Sequence, residues 1–451
     1  MWSWLKLGRA PTPTHGVAGA KRAASPLAAP AAPVPPASGG PFITPEVAAQ
    51  ATEPLQGLGH RRPLVGRNGQ VAGFELLLAP AVEKRLAARG DSPSVVLHYS
   101  ALLSAAATIT AGGRSALVRL PALLLNRPKL AEAASAQTLL WVDDLAAVPP
   151  EVAAALRARG VRLGVPDGPP SAVPKPDFVV VQAQAGGIDT LLLSAQRWRE
   201  LVPQVMVVGV GLQHLEDVEN ALRGGITLAG GQLGQSRDRP VSRPLGAAAH
   251  RICGLLNHLA LDRDTAVIAD EVRADAALTY RLLRYANSPA IGLQRAVEVV
   301  DDAVQLLGRA ELQRWLSVQL ISAAQNRQAA RALEEGALVR GRVLEAIARF
   351  RQEAHPGAHF TLGVLSLIEP LLQVPLADAL GPLRLGEEST AALLRREGPW
   401  AGRLALLDAL DQHDSERTEQ LADELGLVPG ALAGIVDDAW GWSSQVREGG
   451  G

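Results

Sequence analysis

The chain has little cysteine and almost no net charge. Cys253 is the single cysteine among 451 residues, which excludes an intramolecular disulfide and any zinc site built from paired cysteines. The formal net charge is −1, so no whole-chain field draws the protein to nucleic acid or to an anionic membrane. We therefore expect no nucleic-acid partner.

Long uninterrupted apolar segments are also missing. The stretch VVLHYSALLSAAATITAGG, residues 95–113, contains His98, Tyr99 and several hydroxyl groups, which is typical of a buried helix rather than a membrane span. The start, MWSWLKLGRAPTP, has only a short apolar patch interrupted by Lys6, unlike a secretory signal. These two features predict no membrane span and a cytoplasmic location.

Large apolar side chains are scarce near the N-terminus. Residues 10–55 consist mainly of alanine and proline with serine and glycine. Such a segment cannot bury enough apolar surface to offset the entropy lost on ordering. The composition predicts that residues 1–57 form a disordered tail.

Beyond this tail, short apolar runs alternate with helical patterns. Continuous apolar strands separated by amphipathic helices indicate a parallel sheet, open or closed into a barrel, over residues 58–238. The predicted strands are residues 116–120, 138–144, 161–165, 177–182 and 205–210.

The rest of the chain has helical periodicity. Apolar residues recur at i, i+3, i+4 and i+7, and Gly292 and Gly308 are placed to end helices. We predict an all-helical domain over residues 239–430, followed by a C-terminal helix and a frayed tail over residues 431–451. The predicted fold class is thus α/β plus all-α.

Motifs in both halves resemble known families. RRPLVGRNGQVAGFELLL, residues 61–78, is similar to the opening hairpin of the EAL domain, with Glu75 at the signature glutamate. EAL domains are (β/α) barrels whose active members hydrolyse cyclic di-GMP with two divalent metals. DAALTYRLLRYANSPAIG, residues 275–292, and AVQLLGRAELQRWL, residues 303–316, resemble the HDOD domain, a helical relative of HD phosphohydrolases without their metal ligands. The HDOD fingerprint residues are Asp275, Leu278, Leu282, Leu283, Asn287, Ser288, Gly308 and Trp315.

The resemblance covers residues 60–430 and implies an EAL–HDOD tandem signalling protein with a degenerate barrel. Positions that match the family's other metal and catalytic groups hold Arg119, Trp141 or Val142, Pro166 with Asp167, Val180, Gln182, Val208, Gly211 and Gly230. Of the family's carboxylates only Glu75 and Asp167 remain, too few to hold two divalent ions, and a cation at Arg119 opposes metal binding. We interpret Glu75 as a remnant paired with Arg119, and we expect no catalytic residue, no bound metal and no cofactor.

Histidine pairs give no clear metal site. His355 and His359 have i, i+4 spacing, but Pro356 and Gly357 between them predict a loop. The dipeptide His413-Asp414 lies far from the fingerprint, and we expect a solvated turn before a helix cap at Ser415.

Three smaller features have plain structural interpretations. His250 and His258 are expected to be ordinary helix residues, and Cys253 a buried structural thiol. The glycines of LAGGQ, Gly230 and Gly231, are predicted to form a turn, and a phosphate-binding role for that turn stays open.

The sequence therefore predicts a non-catalytic signalling protein that acts through protein partners, in cyclic-di-GMP-linked regulation such as motility or biofilm formation. Two alternatives remain: a sensor that binds cyclic di-GMP without cleaving it, and an active cyclic-di-GMP phosphodiesterase. We expect cyclic di-GMP binding to be weak or absent, and the partner and the oligomeric state stay open. Asn287 and Ser288, before Pro289, are expected to fix a helix-ending turn, with a role in shaping a partner groove as the alternative.

Overall fold

The computed structural model describes residues 61–90, 92–168, 175–183, 187–288, 291, 297–323, 327–428 and 430–450. The predicted tail of residues 1–57 and Gly292 lie outside these residues.

Eight strands close into a barrel in sequence order. The first strand pairs antiparallel with the second and the eighth, and all other neighbouring strands are parallel. The strands are β1 Arg61–Gly66, β2 Val71–Leu76, β3 Ser115–Arg119, β4 Thr138–Trp141, β5 Arg162–Pro166, β6 Phe178–Gln182, β7 Met206–Leu212 and β8 Leu228–Gly231. The five predicted strands correspond to β3–β7, and the open choice between sheet and barrel is decided in favour of the barrel.

Alternation along each strand fills two cores. Leu117, Leu139, Phe178 and Val208 belong to a cluster inside the barrel. Their sequence neighbours, such as Val118, pack outward against the helices. Apolar residues on both faces explain why these strands read as continuous apolar runs.

Helices surround the barrel. They are α1 Pro80–Ala88, α2 Pro93–Ala111, α3 Pro128–Ala133, α4 Pro150–Ala158, α5 Gly187–Leu201 and α6 Leu215–Arg223, with short 3-10 turns at Ala122–Asn126 and Leu145–Ala147. Within the described part of the chain, α2 alone is long and apolar enough to cross a membrane. It lies against β3, and it buries six side chains, among them Tyr99 and Leu102.

The remaining described residues are helical, as the periodicity predicts. These helices are α7 Ala247–Ala260, α8 Thr265–Arg273, α9 Ala276–Ala286, α10 Val300–Ser322, α11 Ala330–Phe350, α12 Pro356–Leu365, α13 Ile368–Leu372, α14 Leu376–Leu380, α15 Glu387–Arg395, α16 Ala401–Gln412, α17 Ser415–Glu424 and α18 Ala431–Gly450. The helix α18 continues through Gly450, so the frayed tail expected for its last residues is wrong.

The loop predicted around His355 and His359 is wrong. Pro356 occupies the first turn of α12, where a missing N–H costs nothing, and the helix continues past Gly357. His355 is the N-cap residue, so the two histidines do not share a helix face.

His359 is buried in a charged cluster. Its Nε2 lies 2.8 Å from Glu353 Oε2, Arg403 Nη1 lies 3.3 Å from its Nδ1, and its ring lies 4.3 Å from that of Trp400. Burial, and then the charge of Arg403, lower the pKa of His359 to about 4, against the opposing effect of Glu353.

Other histidines and the cysteine have structural positions. His413 ends α16 with a left-handed backbone, φ 57°, and Asp414, rather than Ser415, caps α17 by accepting the N–H of Arg417 at 3.0 Å. His258 Nε2 lies 2.7 Å from the Glu271 carboxylate. Cys253 is buried, as predicted, and burial raises the pKa of its thiol to about 11.

The HDOD fingerprint residues cap and pack the first helices of the helical half. Asp275 caps α9 by accepting the N–H groups of Ala277 and Leu278, each at 3.0 Å, and these donors lower the pKa of its carboxyl. Leu278, Leu282 and Ala286 are buried, whereas Leu283, the third leucine of the fingerprint, is only partly buried.

The second half of the fingerprint fixes α10 against α9. Gly308 has φ 70° and ψ 168°, which breaks α10 into two helical segments and places the predicted helix end inside it. Trp315 is buried, and its ring stacks on that of Tyr285 at 6.3 Å.

Asn287 holds the turn after α9. Its amide donates to the carbonyls of Leu283 and Val297, at 2.9 and 2.8 Å, and its Oδ1 accepts the N–H of Val297 at 2.7 Å. Ser288 beside it is buried. The contacts of Asn287 support the structural role predicted for it, whereas the hydroxyl of Ser288 has no hydrogen-bond partner among the described residues.

Two contacts join the barrel to the helical half and to the last helix. Arg114, just before β3, donates to Glu335 of α11 at 2.6 Å, and the hydroxyl of Ser443 in α18 donates to the same carboxylate at 3.0 Å. Beside this cluster, the rings of Phe74 in β2 and Trp440 in α18 meet edge to face at 4.8 Å.

The turn of the first hairpin also abuts the helical half. Gly69 has φ 73°, and its carbonyl accepts the N–H of Ala332 at 3.0 Å. A Cβ at Gly69 would lie 1.8 Å from the carbonyl oxygen of Gln328, so this close approach requires glycine.

Asn287→Ala should lower the free energy of unfolding by about 1–2 kcal/mol, because the substitution leaves the backbone of Val297 without its two hydrogen bonds. Urea denaturation of the full chain measures the loss. Asn287→Asp keeps the acceptor for Val297 and should lose less. Equal stability of Asn287→Ala and wild type would contradict the structural role.

Acidification from pH 6.5 to pH 4 should destabilise the fold through His359. The unfolded chain takes up a proton at an ordinary pKa of 6.5, whereas the folded chain does so only near 4, so at most about 3 kcal/mol is lost across this window. The urea midpoint of His359→Gln should fall less between pH 7 and pH 4.5 than that of wild type. The exposed His250→Gln is the control and should behave like wild type; equal losses in all three proteins would refute the assignment.

Candidate functional site

The carboxyl ends of the barrel strands surround a cavity of about 1120 Å³, called the mouth below. Active sites of (β/α) barrels lie at this end, because loops that follow the parallel strands converge there. Among the residues that line it are Glu75, Arg119, Trp141, Asp143 and Gln182.

Glu75 is paired with Arg62. The carboxylate is buried, and Arg62 Nη1 donates to its Oε2 at 3.0 Å. The two residues face each other in the antiparallel β1–β2 register. Burial raises the pKa of Glu75, and the guanidinium opposes that shift.

The predicted pairing of Glu75 with Arg119 is wrong. Arg119 Nη1 instead donates to Glu83 of α1 at 2.6 Å, and its guanidinium lies over the Trp141 ring, 5.2 Å from the centroid. Both charged side chains of the Arg119–Glu83 pair are largely exposed, so the pair contributes little stability.

Trp141, rather than Val142, takes the inward position of the fourth strand. Trp141 belongs to the cluster inside the barrel, and Val142 packs outward against the helices. At the matching point of the fifth strand, Asp167 is held outside the mouth. Its carboxylate accepts from Trp198 Nε1 at 2.8 Å, from Arg197 at 3.0 Å and from the Ser194 hydroxyl, all in α5.

The structure therefore does not bring Glu75 and Asp167 together. Sequence reasoning missed Arg62 and Asp143. Two arginines, Arg61 and Arg62, lie across the first hairpin from Glu75, and the register shift between Leu64 and Val65 decides which of them faces it. Asp143 Oδ1 accepts the backbone N–H groups of Ala122 and Asp144, at 2.8 and 3.1 Å.

The other positions matched to the family are mostly apolar. Val180 and Val208 lie in the interior cluster. Gln182 and Gly211 line the mouth. None of these side chains is charged, so none adds an anionic ligand.

The turn predicted at Gly230 and Gly231 is wrong, since both residues lie within β8. A Cβ at Gly230 would lie 2.8 Å from Leu64, and one at Gly231 would lie 2.6 Å from the carbonyl oxygen of Leu212. These glycines allow neighbouring chain segments to pack closely. Because they belong to a strand, they do not form a loop that could hold a phosphate. Across the described part of the chain, no group of three or more histidine, cysteine, aspartate or glutamate residues is placed to hold a metal ion.

Comparisons with known proteins match one part of the chain to a family model and most of the chain to a relative. Residues 245–380 match the model of the HDOD domain. Over 383 residues the chain is 21% identical to the uncharacterized protein YuxH of Bacillus subtilis, covering 81% of this chain and 93% of YuxH. Over 177 residues it is 26% identical to the cyclic di-GMP phosphodiesterase CdgJ of Vibrio cholerae, covering 39% of this chain and 41% of CdgJ.

Solved structures similar to this chain include an EAL domain protein from Listeria monocytogenes, at 13% identity and a TM-score of 0.32, covering 39% of this chain and 86% of that one. A second is BlrP1 from Klebsiella pneumoniae in complex with calcium and cyclic di-GMP, at 18% identity and a TM-score of 0.30, covering 39% and 54%.

The closed barrel thus precedes a helical region with the HDOD match.

Proposed function

We propose that this protein is a non-catalytic signal-transduction protein that acts through protein partners in cyclic-di-GMP-linked regulation such as motility or biofilm formation. The relative CdgJ is named as a cyclic di-GMP phosphodiesterase, which supports the regulatory context. The proposed location is the cytoplasm.

The observation that carries the proposal is that the carboxylates lining the mouth already accept hydrogen bonds from the protein itself. Glu75 is bound by Arg62, Glu83 by Arg119, and Asp143 Oδ1 by two backbone N–H groups. A pair of divalent cations needs several free anionic oxygens in one place. The carboxylates at this mouth do not fit such a pair of cations, because the guanidinium groups of Arg62 and Arg119 already neutralise two of them.

The helical half supports the same proposal independently. Its fingerprint residues cap helices, fill the core or hold a turn, as Asp275, Trp315 and Asn287 do. None of these roles requires a reaction. A domain that keeps its packing residues without a reactive cluster serves best as a binding surface.

A second candidate is a sensor that binds cyclic di-GMP without cleaving it. The Arg119 guanidinium lies over Trp141 at the edge of a cavity of about 1120 Å³. Arginine is suited to phosphate and an indole ring to stacking with a base. This arrangement is the observation that favours the sensor.

Purified full-length protein should not hydrolyse cyclic di-GMP with Mg²⁺ or Mn²⁺, because the mouth has no free carboxylate set to hold the metals. Product formation, followed by chromatography beside an active phosphodiesterase, measures this. Glu75→Gln is the matched variant, since it keeps the shape of the side chain beside Arg62. Hydrolysis of cyclic di-GMP by the wild-type protein that disappears in Glu75→Gln would contradict the non-catalytic proposal.

Calorimetric titration with cyclic di-GMP should show weak or no binding, since Val180, Val208 and Gly211 offer no polar side chain to the ligand. A low-micromolar dissociation constant, about −8 kcal/mol on the affinity scale, would favour the sensor instead. In that case Arg119→Ala should abolish the binding. Arg197→Ala is the control, because Arg197 binds Asp167 away from the mouth.

A further inference from the structure

A second cavity, of about 690 Å³, lies where the barrel, the helical half and the last helix meet. Its walls come from α2 of the barrel, from α11, α16 and α17 of the helical half, and from α18. We call it the cleft. Leu76 and Leu102 border both the cleft and the mouth, but the charged residues of the mouth do not line the cleft. Its volume is in the range of cavities that take a ligand or several side chains.

The cleft is mainly apolar inside. Leu102, Leu407, Leu427 and Trp440 line it and are buried. Val428 also lines it, yet its side chain is 57% exposed. An apolar cavity of this size that opens beside an exposed aliphatic residue has room for the side chains of a ligand or peptide.

The charged residues that line the cleft have an excess of negative charge. The two arginines among them are already neutralised, since Arg340 lies 2.5 Å from Asp411 and Arg61 lies 2.9 Å from Asp437. Glu419 and Asp423 also line the cleft and are exposed, and we call these two residues its rim. Neither has an ion-pair partner among the described residues, so the rim favours a basic occupant.

The chain's own N-terminus has the complementary chemistry. The segment MWSWLKL, Met1–Leu7, contains two tryptophans, two leucines and a methionine, and its one charged side chain is that of Lys6. Arg9 follows, and no acidic residue occurs before Glu46. Aromatic and aliphatic side chains match the apolar interior of the cleft, and the two cations match its rim.

The connection makes this pairing intramolecular. Arg61, the first described residue, itself lines the cleft, so the chain enters the fold at the cleft's edge. Residues 8–60 lie between the segment and Arg61, and a flexible chain of roughly 50 residues would have a root-mean-square reach of roughly 40 Å. A tether of this kind gives a high effective concentration, so even a weak contact is populated.

We propose that the cleft binds Met1–Leu7 of the same chain, with the tryptophans inside and Lys6 and Arg9 facing Glu419 and Asp423. Since the walls come from the barrel, the helical half and α18, the bound segment contacts all three. The proposal is independent of the function proposed above.

Disulfide trapping in the full chain tests the position of the segment. Ser3→Cys with Val428→Cys should form an intramolecular disulfide about 10-fold faster than Ser3→Cys with Leu193→Cys. Leu193 is 68% exposed on α5, which contributes nothing to the cleft. The native Cys253 is buried with a thiol pKa of about 11 and does not compete. Adding Trp2→Ser and Trp4→Ser should remove the rate advantage.

Peptide binding tests the chemistry. A synthetic peptide of residues 1–10 should bind full-length protein that carries Trp2→Ser and Trp4→Ser, because its cleft is then free. Glu419→Lys with Asp423→Lys, both at exposed positions, should weaken that binding at least about 10-fold in calorimetry.

Equal trapping rates at Val428 and Leu193 would overturn the proposal. So would peptide binding unchanged by the charge reversals, or a disulfide that forms between two copies of the chain rather than within one. An apolar small molecule that copurifies in the cleft would also overturn it.

Discussion

The ion pair between Arg114 and Glu335 ties the parts of this molecule together. Both side chains are buried, and the Ser443 hydroxyl completes the contact. Removal of one partner from a buried pair leaves an uncompensated charge at a cost of about 3–5 kcal/mol. The pair therefore fixes β3, α11 and α18 relative to one another, and with them the barrel, the helical half and the last helix. Both the cleft and the packing of Phe74 against Trp440 depend on that arrangement.

The same use of charge recurs at the mouth. Arg62 neutralises Glu75 across a hairpin, and α5 binds Asp167 from outside the barrel. In each case a carboxylate near a strand end belongs to the fold, since its oxygens accept hydrogen bonds from neighbouring side chains. An anion that is already satisfied has little affinity left for a metal ion. At this end of the barrel, then, Glu75 and Asp167 both contribute to the packing of the fold.

Most of the architecture could be predicted from the sequence, because periodicity and apolar runs determine which segments are buried. The partner of Glu75 could not. A register shift between Leu64 and Val65 moves the pairing by one residue, so counting outward from the turn places Arg61 rather than Arg62 opposite Glu75. The helix after His355 does not follow from the sequence pattern alone, because proline breaks a helix in its interior but is favoured at its start, where Pro356 lies. The outward position of Asp167 depends on bonds to α5, which pattern reasoning does not reveal.

The contact at Gly69 has a consequence for the order of folding. The first strand completes the barrel only by pairing with β8, about 160 residues later in the chain, and the hairpin turn beside it meets Gln328 and Ala332, about 260 residues later. Contacts between such distant residues form slowly, because the long loop between them must close first. During synthesis the free edge of β1 therefore stays unpaired until β8 has left the ribosome. The hairpin turn gains its contact with the helical half only later, when the start of α11 has emerged. Until β8 emerges, the exposed edge of β1 is a target for chaperones and for mispairing with other chains.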